Sequence, residues 1–88
     1  MSARPYVLIV DDEPQFLRAL ATNVRGAGYE ADTAATAEEA LTKAGLRTPE
    51  AVILDLVLPD RSGIDVTREL RKWTDVPIVI VSAVGEEN

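Results

Sequence analysis

Apolar runs alternate with segments of helical period, and that alternation leaves few folds open to the chain. Tyr6 to Val10 (YVLIV) is apolar throughout, as a strand covered on both faces requires. Phe16, Leu17, Leu20, Ala21 and Val24 then recur at three- and four-residue spacing, one face of a helix. Pro14 suits that helix's first turn, and an aspartate just before it suits a cap. Gly26 or Gly28 of "RGAGY" supplies the left-handed stop. Residues Tyr29 to Ala35 read as a short, weak strand. Thr36 with Glu39 forms a capping-box pattern and opens a second helix, with Ala37, Ala40, Leu41 and Ala44 on one face. Gly45 and Pro49 bracket its end. Ala51 to Leu58 is a third strand, and "PDRSG" is a loop. A third helix follows on Ile64, Val66, Leu70 and Trp73. "TDVP" turns the chain into a fourth strand, Pro77 to Val81.

The predicted order is β-α-β-α-β-α-β. Strands alternating with helices imply an α/β fold: a doubly wound parallel sheet with helices on both faces and right-handed crossovers. Residues 1–88 read as one domain, with no internal repeat, low-complexity tract or linker. Only Ser82 to Asn88 follow the fourth strand, which would leave a strongly hydrophobic edge. Such an edge invites pairing, so the domain is expected to be cut short at its C-terminal side.

Composition excludes several chemistries. There is no Cys, hence no disulfide and no thiolate metal site, and no His, hence neither the usual neutral-pH acid/base nor the usual transition-metal ligand. Chemistry must rest on carboxylates, hydroxyls and backbone. Fifteen acidic residues against nine basic ones give a net charge of −6. Only Arg68, Arg71 and Lys72 cluster, which reads as a solvated face, so this piece is not expected to bind nucleic acid itself. No apolar run reaches membrane-spanning length and no signal-peptide core is present, which is compatible with the cytoplasm.

Asp55 interrupts the third apolar run. A charge there costs several kcal/mol unless it meets solvent or a cation. In an open parallel sheet the ligand site lies beyond the carboxyl ends of the strands, where strand order reverses. The first strand ends in Asp11 and Asp12, the third in Asp55 and the fourth in Ser82. With strand order 2-1-3-4 the three aspartates converge. Carboxylates brought together repel, unless a hard divalent cation such as Mg²⁺ joins them. A carboxylate beside Mg²⁺ can also act as a nucleophile and form an aspartyl phosphate, with the Ser82 hydroxyl bonding a phosphoryl oxygen. Each residue taken singly has a plainer role. Asp11 and Asp12 suit helix capping, Asp55 a structural carboxylate, Ser82 a strand end or cap, Gly63 a turn and Trp73 the core or a helix-packing surface. Their joint placement at one end of one sheet favours the site.

The segments "VLIVDDEPQFLRAL", "AVILDLVLPDRSGID" and "VPIVIVSA" carry a resemblance to the receiver domain of two-component response regulators, in its DNA-binding, winged-helix subclass. It runs from Tyr6 to about Glu87. It implies a flavodoxin-like fold that in the family continues through a final helix-strand-helix unit, here lacking, along with the effector domain. It also implies that Asp55 is the phosphoacceptor and that Asp12 binds Mg²⁺ directly. Asp11 would act mainly through water, and the Val57 backbone carbonyl would complete the protein ligands. Ser82 would contact the phosphoryl group and shift on activation, Ala83 would leave room beside the acceptor, and Pro59 and Gly63 would shape the loop. The implied donor is a histidine kinase, and the implied output is control of transcription. The module would not be an enzyme beyond self-catalysed phosphotransfer and dephosphorylation. The family's lysine partner for the acceptor would lie past Asn88, so activity of this piece is expected to be impaired. The alternative is a phosphorylation-independent interaction module that self-associates through apolar surface near the fourth strand. A metal-dependent phosphohydrolase would need further acid/base and phosphate-binding groups.

Overall fold

A computed structural model describes residues 4–81. Its elements are β1 (Tyr6–Val10), α1 (Pro14–Gly26), β2 (Glu30–Ala34), α2 (Ala37–Leu46), β3 (Ala51–Asp55), α3 (Gly63–Arg71) and β4 (Ile78–Val81). The strands form one parallel sheet in the order β2-β1-β3-β4. This is the doubly wound, flavodoxin-like arrangement that the alternating periods require.

Every residue of β1 is buried, because it lies between two strands and under helices on both faces. Side chains alternate across a strand, so β1 feeds two cores. Val7 and Ile9 meet α1 through Ala21, Leu17, Leu20 and Val24. Leu8 and Val10 share the opposite core with Ala37, Ala40 and Ala44 of α2, Val66 and Leu70 of α3, and Val52 and Leu54 of β3. Lys43 adds polar ties from α2 to β2. It donates to the Thr33 carbonyl at 2.6 Å and pairs with Asp32 at 3.3 Å. Arg47 forks onto Glu30 at 2.7 and 2.8 Å. Pairs as open as these add little stability.

The helix ends follow the predicted signals with two differences. Glu13, not an aspartate, caps α1 by accepting from Gln15 N–H at 3.0 Å, and Asp11 instead accepts from Glu13 N–H at 2.8 Å. Gly26 closes α1, and the left-handed position falls on Gly28, at φ 100°. Thr36 accepts from Glu39 N–H as a capping box should, but the Glu39 carboxylate returns to Ala35 N–H rather than to Thr36.

The third strand stops at Asp55, three residues earlier than its apolar run. Leu56 N–H still reaches the Val81 carbonyl at 3.0 Å, but Val57 turns back to bridge Ser62. Leu58 is buried from the loop, not from the strand. On α3 only Val66 and Leu70 of the predicted face are buried. Ile64 is 43% exposed in the first turn, and Trp73 is 49% exposed beyond the helix end. β4 is an edge among the described residues. Val79 (55% exposed) and Ile80 (39%) lie opposite Ile53 and Leu54 in the pairing register.

Burial sets the cost of truncating these side chains. Leu70→Ala should lower stability by about 2–4 kcal/mol, whereas Ile64→Ala should cost less than about 1 kcal/mol. Urea unfolding of the two variants against wild type checks the difference.

Candidate functional site

Parallel pairing of β1 with β3 sets Val10 beside Leu54, so Asp11 and Asp55 leave the sheet side by side. Asp11 N–H still bonds the Ala34 carbonyl at 3.0 Å, which holds this residue in line with the sheet. Its side chain is 8% exposed, Asp55 is half-buried and Asp12 is exposed. Each of the three offers a carboxylate oxygen, and these oxygens lie within 4.8 Å of one another. Burial pushes the Asp11 carboxyl above its ordinary value. The hydrogen bond from Glu13 N–H opposes that rise, while the neighbouring Asp55 and Asp12 charges add to it. A hard cation would offset this penalty by pairing the clustered negative charges. An all-oxygen set of carboxylates suits Mg²⁺, which keeps several waters and accepts one or two protein carboxylates.

The chain beyond Asp55 is tightly folded. Gly63 N–H donates to the Leu56 carbonyl at 2.7 Å and Leu58 N–H to the Arg61 carbonyl at 3.3 Å. Val57 N–H lies 3.4 Å from Asp55 Oδ1. Gly63 opens α3 directly against β3. A Cβ at this position would collide with the Asp55 carbonyl oxygen and lie 3.1 Å from Leu56 Cα, both backbone atoms that cannot step aside. The glycine is therefore a close-approach residue, not only a turn former. Ser62 caps α3 by accepting from Asp65 N–H at 3.1 Å.

Asp60 is a site neighbour that the sequence did not point to. Its two oxygens accept from Ala37 N–H at 2.8 Å and Glu38 N–H at 3.0 Å, tying the loop to the start of α2. These bonds, with the Ala37 bond the largest influence, hold its carboxyl below the usual range. Its partners lie 23 and 22 residues away in the chain, so no local pattern could have revealed it. Of the residues expected at the site, Asp11, Asp12 and Asp55 come together. Val57 follows within two residues of Asp55 and is exposed, and Pro59 lies in the same loop. Ser82 and Ala83 lie outside the described residues. Arg68 and Lys72 pair with Asp65 and Glu69 along α3, as a solvated face does.

The sequence matches the family described as the response regulator receiver domain over residues 7–88. It is 52% identical over 77 residues to the transcriptional regulatory protein KdpE of Mycobacterium tuberculosis, covering 88% of this chain and 34% of that protein. It is 44% identical over 82 residues to the KDP operon transcriptional regulatory protein KdpE of Escherichia coli, covering 93% and 36%. The narrower resemblance read from "DDEPQFLRAL" and "LRKWTDVPIVIVSA", to the regulator of the Kdp potassium-transport operon, agrees with these relatives. The response regulator TrrA from Thermotoga maritima, solved in complex with Mg(2+)-BeF, superposes with a TM-score of 0.85 at 40% identity, covering 90% of this chain and 70% of that one. The chain thus spans about a third of the length of these curated relatives.

The raised Asp11 carboxyl has a signed consequence. The folded protein holds that proton more tightly than the unfolded chain. Its contribution is therefore full below the ordinary aspartate range, about pH 4, and is lost as pH rises through the folded value. Asp11→Asn keeps an oxygen for Glu13 N–H and loses the charge. Without divalent cations it should melt above wild type at neutral pH, and the difference should close as pH falls toward about 4. Thermal melts of both proteins across that range check it.

Proposed function

The chain belongs to the response regulator receiver domain family, and from that premise we propose that residues 1–88 form a phosphoacceptor module. In this role Asp55 takes a phosphoryl group from the phosphohistidine of a histidine kinase. The observation that carries the proposal is the meeting of Asp11, Asp12 and Asp55 oxygens within 4.8 Å at the carboxyl ends of two adjacent strands.

The half-buried Asp55 carboxylate is the nucleophile. One of its oxygens forms a bond to phosphorus as the P–N bond to the donor imidazole breaks. The electron pair leaves on the imidazole nitrogen, which takes up a proton. The product is an aspartyl phosphate, which water hydrolyses back to Asp55 and inorganic phosphate. Bound Mg²⁺ supplies charge neutralisation between the carboxylates and the incoming phosphoryl oxygens. Asp12 and Asp55 would hold it directly, Asp11 through water, and the Val57 carbonyl would complete the protein ligands. The Ser82 hydroxyl would bond a phosphoryl oxygen and shift on activation.

The regulators named above point to transcription as the output of the whole protein. This chain would supply the input side: its net charge of −6 and its scattered basic residues do not favour contact with a phosphate backbone. Among the described residues no helix is long and apolar enough to cross a membrane, and the proposed place of action is the cytoplasm. Exposed Val79 and Ile80 support one further property, self-association along the β4 edge. A monodisperse monomer in light scattering counts against it.

Incubation with Mg²⁺ and a small-molecule phosphodonor, followed by intact mass, should add one phosphoryl group to wild type and none to Asp55→Asn. Equal labelling of the two would displace Asp55 from its role. At ten times its dissociation constant, Mg²⁺ should stabilise wild type by about 1.4 kcal/mol, and Asp12→Asn should lose most of that gain.

A further inference from the structure

The loop between β3 and α3 follows directly on Asp55. Most of its polar ties are internal: Leu58 to Arg61, the Val57–Ser62 bridge, and Gly63 back to Leu56. Leu58 anchors it to the core between α2 and α3. Asp60 does something different. It reaches across to α2 and caps two of the first N–H groups of that helix, which have no partner within it. The start of α2 is therefore satisfied from two places. Thr36 serves Glu39 N–H locally, and Asp60 serves Ala37 and Glu38 from the loop.

The geometry points to Asp60 as a positioning residue of the metal pocket: by forking onto α2 it holds the backbone of Leu56 to Leu58 beside Asp55 in the arrangement a cation needs. Asp55 itself restrains this segment weakly, since Val57 N–H stands 3.4 Å from its oxygen. The Asp60 bonds are shorter, charge-assisted and aimed along two adjacent amides, which fixes direction as well as distance. The negative charge also complements the N-terminal end of the α2 dipole. The loop carbonyls are thus registered against a rigid helix packed on the sheet, not against solvent. The inference rests on the Mg²⁺ reading proposed above.

The discriminating comparison is Asp60→Ala against Thr36→Ala. Both uncap the same helix end, but only the first releases the loop. Mg²⁺ affinity would be measured by calorimetry at a temperature where every variant is folded. Amide hydrogen exchange of Val57 to Ser62 would be followed without metal. Both variants should melt lower than wild type. Asp60→Ala should weaken Mg²⁺ binding by about tenfold and speed exchange in the loop, with Thr36→Ala close to wild type in both. Asp60→Asn, which retains an acceptor for Ala37 N–H, should fall between, and it serves as the test variant if the alanine form does not fold. Unchanged Mg²⁺ affinity in the Asp60 variants would overturn the proposal and leave Asp60 a helix cap alone. If wild type binds no Mg²⁺, it is the metal reading that fails, and loop exchange still decides whether Asp60 orders the segment.

Discussion

Parallel pairing of β1 with β3 is the constraint on which the rest depends. Its register sets Val10 beside Leu54 and so brings two carboxylates, far apart in sequence, to one sheet end. Neither strand can slip by a residue without turning its side chains to the opposite face. Slippage would move Leu8 and Val10 out of one core and Val7 and Ile9 out of the other. The two apolar layers therefore hold the acidic cluster together against its own repulsion. The raised Asp11 carboxyl records that opposition: burial and neighbouring charge both act against its ionised form, and the fold persists because the cores outweigh them.

The same register explains why the chain must turn so sharply after Asp55. β3 ends where its carboxylate reaches the sheet edge, yet α3 must begin close enough to bury Val66 and Leu70 beneath the sheet. Gly63 makes this possible by resting on the Asp55 backbone where any larger residue would collide. Packing and site geometry are not separable here. The glycine that lets α3 dock is the residue that crowds the backbone of the proposed nucleophile.

Much of this was legible in the chain because it is local. Apolar runs, three- and four-residue spacing, Pro14 and Gly28 act within a few residues of themselves, and the sheet order followed from the alternation. The misreadings arose where competing caps two to four residues away, or packing partners far along the chain, decided the outcome. Leu56 to Leu58 continue the apolar run, but Leu58 is buried by a loop folding under the sheet, and sequence does not distinguish that from a longer strand. Ile64 and Trp73 fit the period of α3 but lie at its ends, where the helix no longer faces the core. Asp11 and Asp12 are adjacent and alike, and only their position at the end of β1 decides that one is buried and the other open. Asp60 is the extreme case, since its whole role is made with α2.

That role depends in turn on an unremarkable feature of α2, its small buried face. Ala37, Ala40 and Ala44 are fully buried and carry no bulk that would lift the helix from the sheet. Alanine is also the residue least opposed to helix formation, so close approach and helix stability come from the same choice. A helix standing off on larger side chains would carry its first amides outward, away from a loop that begins at the end of β3. The short stubs of α2 thus set where Ala37 and Glu38 present their N–H groups, and those groups meet both oxygens of Asp60. Core volume on one face of the sheet is in this way connected to the loop that borders the acidic pocket at its end.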